Sequence, residues 1–301
     1  MSEGFLERMA SSSASRVAHA KARVAERELH ARALDTPRAP PLVLAPEGFD
    51  LIAELKLRSP AAGRLAGPGD GGSADEVSAR VLSYAQAGAA AVSVLTEPTR
   101  FDGSLEHLGA ATRALEELSV GAGSSGRRQV PVLRKDFLVD PYQVLEARAA
   151  GAGGVLLILR MLSQGAAALL DRARELGLFV LLEAFDEADI ERAHAIVESR
   201  RDAARGTLLV GVNCRDLDTL QVVPGRLEAL ASTLPTSVPR VAESGVASAE
   251  DAARVAAAGY DLALVGSALM AARDPAKLVR ELLIAGRGAR HGRDRTRGAD
   301  Q

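Results

Sequence analysis

Residues 130–159 read VPVLRKDFLVDPYQVLEARAAGAGGVLLIL and contain one complete strand–helix–strand unit. Two continuous apolar runs, at 130–133 and 155–159, flank a stretch of helical period at 141–150. Continuously apolar runs are typical of strands covered on both faces, as in parallel sheets, because half-exposed strands alternate apolar and polar residues. Gly151 follows the helical stretch, at a position where a left-handed helix end favours glycine.

The same unit recurs along most of the chain. Its eight strand-like runs are LIAEL at 51–55, AAVSVL at 90–95, VPVL at 130–133, VLLIL at 155–159, FVLL at 179–182, TLLVGV at 207–212, VPRVA at 238–242 and LALVG at 262–266. Eight strand–helix alternations predict an α/β protein with a closed (β/α)8 barrel, a TIM barrel, rather than a doubly wound open sheet. No Gly-x-Gly-x-x-Gly follows the first run, which disfavours a dinucleotide-binding sheet.

The two ends of the chain differ from this repeating region. Residues 1–35 have helical period and predict one or two helices outside the main body, and the prolines of 36–49 end them. We therefore assign 1–45 to an N-terminal helical extension and linker, and 46–286 to the barrel. Residues 287–301 are arginine-rich and nearly without apolar anchors, which predicts a disordered tail rather than a nucleic-acid-binding arm.

Two glycine-rich stretches interrupt the alternation. AAGRLAGPGDGG at 61–72 directly follows the first strand, and we expect a mobile loop at the active site there. VGAGSSGRR at 120–128 precedes the third strand, on the opposite face of the barrel, and we expect it to be inert.

Composition limits the class of protein. The chain is 47% apolar and 25% charged, as in an ordinary globular protein, which excludes disorder of the whole. The net charge of −2 gives no global field toward nucleic acid or an anionic membrane. With one cysteine, no secretory signal and no stretch long enough to cross a bilayer, we expect a cytoplasmic protein. No long exposed apolar stripe is evident beyond the barrel helices, which predicts a monomer.

Polar residues cluster where the strands end, and in such barrels these ends face the active site. Alternation points Glu54 and Lys56 the same way, into one pocket. The remaining strand-end residues are Ser59, Thr96, Glu97, Arg134, Lys135, Asp136, Glu183, Asn213, Cys214, Arg215, Asp216, Glu243, Ser244, Gly245, Gly266 and Ser267.

This collection indicates proton transfer by lysine and glutamate. The five histidines all fall in helices, their approaches or tails, which argues against a histidine-based triad and against a zinc site. Burial beside opposite charges tunes lysine and glutamate toward neutral pH.

The Ser244-Gly245 and Gly266-Ser267 pairs, after the last two strands, offer backbone N–H groups where many barrels bind phosphate. A phosphate monoester is the predicted ligand.

Three strand-end residues have simpler explanations. Arg134 is expected to point away from its neighbour Lys135 and to form a structural ion pair. Cys214 is expected to be a small core residue, since no base partner is evident. Glu97 is equally suited to capping the following turn and to touching substrate.

Six segments together resemble the indole-3-glycerol-phosphate synthase family over roughly 45–285. The segments are IAELKLRSP at 52–60, SVLTEPTRFDGSLEHL at 93–108, PVLRKDFLVDPYQVLEARAAGA at 131–152, LLEAFDE at 181–187, VGVNCRDLDTLQV at 210–222 and VAESGVASAEDAARVAAAGYDLALVGSALM at 241–270. The RKDF block followed by DPYQ, and the NxRDL block, are specific to that family among barrels.

The resemblance implies conversion of 1-(2-carboxyphenylamino)-1-deoxyribulose 5-phosphate to indole-3-glycerol phosphate, CO2 and water, without metal or organic cofactor. Lys135 would be the general acid, Lys56 would bind the carboxylate and share acid duty, and Glu183 would complete dehydration. Glu54, Asn213 and Glu243 would orient the lysines and the sugar hydroxyls, and Arg215 would support this network. Phe137 would pack on the aromatic ring. The residues that would bind the phosphate are Ser59, Ser244, Gly245, Gly266 and Ser267.

The sequence also departs from the family pattern. Members commonly read SPSxG after the first strand, whereas this chain has Ala61 at the second serine. The usual valine–histidine pair after Glu183 is Ala184-Phe185, and Cys214 replaces a small or amide residue. These differences bear on the rate and on service in tryptophan synthesis or a specialised indole pathway, and leave the reaction class intact.

Two other functions compete with this one. Phosphoribosylanthranilate isomerase chemistry needs a cysteine–aspartate pair with the cysteine on the first strand, whereas the lone Cys214 follows the sixth. A non-catalytic paralogue that binds the phosphorylated ligand or a partner enzyme has no reason to keep both the acids and the bases.

Overall fold

The computed structural model describes residues 4–46, 48–59, 63–65, 72–121, 129–162, 165–200, 207–217 and 219–299, except the side chains of Arg64, residues 120–121 and residues 291–299. Eight parallel strands form a closed barrel in which the first pairs with the last. They are β1 (Asp50–Leu55), β2 (Ala91–Leu95), β3 (Val132–Lys135), β4 (Gly154–Ile158), β5 (Phe179–Ala184), β6 (Leu208–Asn213), β7 (Arg240–Glu243) and β8 (Leu262–Val265). The predicted barrel and all eight strand positions are confirmed.

Helices surround the barrel. They are α1 (Phe5–Arg23), α2 (Glu26–Asp35), α3 (Ala74–Gln86), α4 (Pro98–Phe101), α5 (Leu105–Gly121), α6 (Pro141–Ala149), α7 (Ala166–Glu175), α8 (Glu187–Ser199), α9 (Arg226–Ala231), α10 (Ala249–Ala258), α11 (Ser267–Ala271) and α12 (Pro275–Ala299). Gly151 has the positive φ of 87° expected where α6 ends. In the part of the chain that is described, no helix is long and apolar enough to cross a membrane.

The barrel interior is polar at the C-terminal ends of the strands and apolar in the layer beneath them. Ile52, Leu133, Leu181 and Val241 are completely buried in one inner cluster. Side chains two positions further along a strand point the same way. Glu54, Lys135, Glu183 and Glu243 therefore also point inward, at the C-terminal ends of their strands.

Helix α1 packs against the C-terminal end of the barrel, whereas the sequence predicted helices outside the main body. Phe5, Met9, Ser13 and Val17 recur every four residues and are buried. This spacing puts them on one helix face. Phe5 and Met9 belong to the same inner cluster as the barrel residues, so α1 contributes to the core. The boundary at residue 45 stays a prediction.

Helix α12 runs through residue 287, where the sequence predicts a disordered tail to begin, and continues to Ala299; disorder of the last residues stays a prediction. The Arg287 guanidinium donates to the backbone oxygen of Phe49 and to Asp50 Oδ1, both at 3.0 Å. Arg290 donates to Asp261 Oδ1 at 2.6 Å. Ion pairs with Asp50 and Asp261 therefore attach α12 to the barrel, although the segment has few apolar side chains.

Both glycine-rich stretches lie largely outside the described residues. Of the predicted active-site loop at 61–72, residues 63–65 and Gly72 are described, and Ala61 is not. Residues 122–128 of the second stretch also lie outside the described part.

Candidate active site

A cavity of about 330 Å³ opens at the C-terminal ends of the strands. All thirteen side chains and glycines predicted as site residues line it: Glu54, Lys56, Ser59, Lys135, Phe137, Glu183, Asn213, Arg215, Glu243, Ser244, Gly245, Gly266 and Ser267. The cavity thus lies at the strand ends, as predicted, and the structure brings the whole predicted set together.

Lys135 is held between two carboxylates. Its Nζ donates to Glu183 Oε2 at 3.2 Å and to Glu243 Oε2 at 2.9 Å. Asn213 Nδ2 donates to the other oxygen of Glu183, Oε1, at 3.1 Å. The side chain of Lys135 is 17% exposed, whereas those of Glu183 and Glu243 are 3% and 1% exposed. Lys135 is therefore the member of the cluster that a ligand reaches first.

Burial and neighbouring charges together set the pKa values of this cluster. Burial lowers the pKa of Lys135, but Glu183, Glu243 and Glu54 outweigh it and hold the pKa well above its ordinary value. Burial raises the pKa of Glu243, Glu183 adds to the rise, and Lys135 opposes it. The balance leaves the pKa of Glu243 above its ordinary value. Lys135 remains charged and able to donate a proton.

Lys56 forms a second lysine–carboxylate pair in the same cavity. Its Nζ lies 2.8 Å from Glu54 Oε1, and their side chains are 13% and 4% exposed. Burial acts to raise the pKa of Glu54, but Lys56 and Lys135 outweigh it, and the pKa lies below its ordinary value. Glu54 therefore stays ionised, and the two lysines enter the cavity from β1 and β3 with separate partners.

Aromatic side chains form one wall of the cavity. The rings of Phe5 and Phe137 pack edge to face with centroids 5.9 Å apart, and Phe101 lies 6.2 Å from Phe137. Both Phe5 and Phe101 line the cavity and were missed by the sequence analysis. The apolar spacing of α1 was the available signal for Phe5, but spacing does not tell which surface a helix covers. A flat apolar ligand fits this wall.

Backbone turns form the cavity region after the last two strands. Ser244 and Gly245 have φ values of 66° and 70°, so two successive residues are left-handed. Ser267 begins α11, and Gly266 precedes it. Val246, Ala247 and Ala268 also line the cavity and were not predicted. Free N–H groups at turns and helix starts favour an anion.

Arg215 closes the loop after β6. Its Nη1 donates to the Leu220 backbone oxygen at 2.7 Å, and its backbone N–H donates to Asn213 Oδ1 at 2.9 Å. Asn213 therefore links this loop to Glu183.

The three residues with simpler explanations do not enter the cavity. Arg134 is buried, and its guanidinium contacts Asp136 at 3.2 Å and Glu146 at 3.1 Å, which confirms a structural ion pair. Glu97 accepts from the backbone N–H groups of α4 and so caps that helix. Cys214 is buried in the core, and burial raises the pKa of its thiol.

The described residues contain no group of three or more His, Cys, Asp or Glu side chains arranged to hold a metal ion. The expected independence from metal and organic cofactors stays a prediction.

Comparison with known proteins agrees with the site. An indole-3-glycerol phosphate synthase of Parafrankia sp. is 44% identical over 251 residues, 83% of this chain and 83% of the relative. That of Streptomyces griseus is 39% identical over 282 residues, 92% of this chain and 94% of the relative. A solved structure, the thiamine phosphate pyrophosphorylase from Pyrococcus furiosus, has a TM-score of 0.53 and covers 81% of this chain and 97% of its own at 16% identity. That likeness supports the barrel fold alone.

The sequence model of one family, described as indole-3-glycerol phosphate synthase, matches residues 6–282. This range includes the barrel, all but the first residue of α1, and every residue of the cavity except Phe5. The chain belongs to the indole-3-glycerol phosphate synthase family.

Proposed function

We propose that the cavity of this carboxy-lyase of tryptophan biosynthesis closes the indole ring of 1-(2-carboxyphenylamino)-1-deoxyribulose 5-phosphate with the residues predicted from the sequence. The observation that carries the proposal is the Lys135 ammonium, held by Glu183 and Glu243 in a cavity that also has an aromatic wall and anion-binding turns. These three features match the ketone, the aryl ring and the phosphate of one substrate.

Ring closure needs a proton donor at the ketone. The aryl carbon that bears the carboxylate attacks the ketone carbon, and Lys135 Nζ gives its proton to the ketone oxygen as the carbon–carbon bond forms. The bond to the carboxylate then breaks, and its electron pair restores the aromatic ring as CO2 leaves. Because the field of three carboxylates keeps Lys135 protonated, the donor is ready at neutral pH.

Dehydration completes the indole. Glu183 accepts the proton from the carbon beside the nitrogen while the new hydroxyl leaves as water, with the proton for that oxygen supplied by a lysine. Asn213 holds Glu183 through Oε1 and so leaves Oε2 directed at Lys135. Lys56 binds the substrate carboxylate until it is lost and shares the acid duty, with Glu54 as its fixed partner.

The remaining residues bind the substrate. Phe137, with Phe5 and Phe101 beside it, packs on the aryl ring. Arg215 supports the loop that follows Asn213. The phosphate is bound by Ser59, Ser244, Gly245, Gly266 and Ser267.

Indole fluorescence tests this function. The chain contains no tryptophan, so the protein gives little background when mixed with the carboxyphenylamino-deoxyribulose phosphate. We expect a rising indole signal with the wild-type chain. Tight binding of the substrate without any signal would support the non-catalytic paralogue instead, and would make the substitutions at Ala61 and Phe185 the first to examine.

The expectations of a monomer in the cytoplasm also stay predictions. Sedimentation at micromolar concentration tests the first, and a stable dimer would contradict it.

A further inference from the structure

Gly211 lies inside the barrel, in the middle of β6, directly under the catalytic cluster. It is in register with Glu183 of β5 and Val241 of β7, both of which point inward, so a side chain at this position would also enter the barrel. Gly211 is absent from the glycines with positive φ, so its backbone conformation does not require glycine. Glycine in a strand interior weakens the strand and often marks a close approach of another group.

The group that approaches is the carboxylate of Glu243. A methyl group on Gly211 would overlap Glu243 Oε1 and would come within 3.2 Å of the carboxylate carbon and 3.1 Å of Leu181 Cδ1. Oε1 is buried and has no hydrogen-bond partner among the described residues, whereas Oε2 of the same group accepts from Lys135. Oε1 of Glu243 therefore occupies the space that a side chain at position 211 would need.

We propose that Gly211 is a positioning residue for the reaction: the space at its α-carbon lets Glu243 seat one oxygen below the cluster and direct the other at Lys135. Gly211 acts through Glu243 and touches no substrate. A larger residue would push the carboxylate away from the ammonium of Lys135.

The carboxylate beside the second lysine also lies against a glycine. A methyl group on Gly266 would overlap Glu54 Oε1, the oxygen that contacts Lys56. Gly266 has a φ of −124°, so it too is not needed for a left-handed backbone. Each lysine of the cavity is thus held by a carboxylate that rests against a glycine.

The first test is Gly211→Ala, with pH as the variable. Displacement of Glu243 removes negative charge from beside Lys135, so the pKa of Lys135 falls. We expect kcat to fall about 10- to 100-fold at neutral pH and the alkaline limb of the kcat profile to move to lower pH, with a smaller change in KM. The matched control is Gly154→Ala in β4, where the methyl would meet the apolar ring of Phe179. We expect that control to lower the melting temperature and leave the pH profile in place.

The second test needs no substrate. In a Glu243→Ala background the overlapping oxygen is gone and only the contact with Leu181 Cδ1 remains. Gly211→Ala is therefore expected to lower the melting temperature much less in that background than in the wild type. This holds even if Gly211→Ala alone does not fold, because the double variant is then expected to fold like Glu243→Ala. Equal loss of melting temperature in both backgrounds, or wild-type kcat with an unshifted pH profile in Gly211→Ala, overturns the proposal.

The kinetic test rests on the proposed role of Lys135, whereas the thermal test does not. Suppose that Gly211→Ala lowers the melting temperature only when Glu243 is present, but leaves the pH profile unshifted. Gly211 and Glu243 would then be shown to pack together, and the positioning role of Gly211 would be rejected. Ring closure by Lys135 would still be tested separately, by the Lys135→Ala variant.

Discussion

The guanidinium of Arg16 on α1 makes two hydrogen bonds to the carboxylate of Asp136, at 3.0 and 2.8 Å, and Asp136 is the residue between Lys135 and Phe137. Ser13, one helical turn earlier, donates to the backbone oxygen of Phe137 at 2.5 Å. The helix that carries Phe5 is therefore bonded to Asp136 and Phe137, directly after Lys135. A bidentate pair of this kind fixes orientation as well as distance.

Arg16→Ala is expected to loosen α1 over the cavity. Because α1 supplies Phe5 to the aromatic wall, KM for the substrate should rise about tenfold, equivalent to about 1.4 kcal/mol of binding, with kcat changed less. Steady-state kinetics by indole fluorescence measures both. Arg23→Ala is the matched control, since Arg23 is exposed on the same helix and carries the same charge. Equal KM values for Arg16→Ala and Arg23→Ala would contradict the account.

Phe5→Ala is expected to weaken substrate binding directly. The edge-to-face contact with Phe137 and the apolar area of the ring are lost, at about 1 to 2 kcal/mol or roughly 5- to 30-fold in KM. Met9→Ala separates ring contact from helix docking, since Met9 is buried on the same face of α1 but does not line the cavity. A Met9→Ala variant with as large a rise in KM would mean that docking of the helix, rather than the Phe5 ring, is responsible.

Asp136 predicts a specific dependence of stability on acid pH. Burial acts to raise its pKa, but the hydrogen bond from Arg16 and the charge of Arg134 lower it from 3.8 to about 2. A carboxylate with a lowered folded-state pKa contributes stability above its unfolded pKa, and this contribution is lost as pH falls through the folded pKa. Between pH 5 and pH 3 the wild type should therefore lose about 1 kcal/mol more of its unfolding free energy than Asp136→Asn.

Urea unfolding at the two pH values measures this difference. The control is Asp75→Asn, which changes an exposed carboxyl in the first turn of α3. This variant should lose as much unfolding free energy between the two pH values as the wild type does. Parallel losses in Asp136→Asn and the wild type would show that Asp136 is not the group that titrates.

The sequence predicted the barrel and the cavity because both depend on local pattern. A continuous apolar run indicates a buried strand, and the polar residue two positions after the last inward apolar one, such as Lys135 after Leu133, must face the same interior. Eight such runs then bring their ends together without any knowledge of long-range contacts. All thirteen predicted site residues follow from this rule and the family resemblance.

What the sequence did not predict depends on contacts between distant residues. Ser13 and Phe137 are 124 positions apart, so the helical period of α1 could not show which surface the helix covers. The sequence could not show what anchors the arginines of α12, because their partners lie more than 25 positions earlier in the chain. Asp50 begins β1, and Asp261 directly precedes β8. In the sequence, Gly211 is one position of an apolar run. Its role depends on Glu243 of β7, whose oxygen occupies the space beside its α-carbon, and the run itself does not show that contact.

We propose that Lys135 is the acid of ring closure and Glu183 the base of dehydration. A single turnover of carboxyl-labelled substrate, in which CO2 release and indole fluorescence are followed together, separates these two roles. We expect Lys135→Ala to bind substrate and release no CO2, because the carbon–carbon bond does not form, and Glu183→Gln to release CO2 without an indole signal. Near-wild-type CO2 release by a folded Lys135→Ala variant would contradict the account.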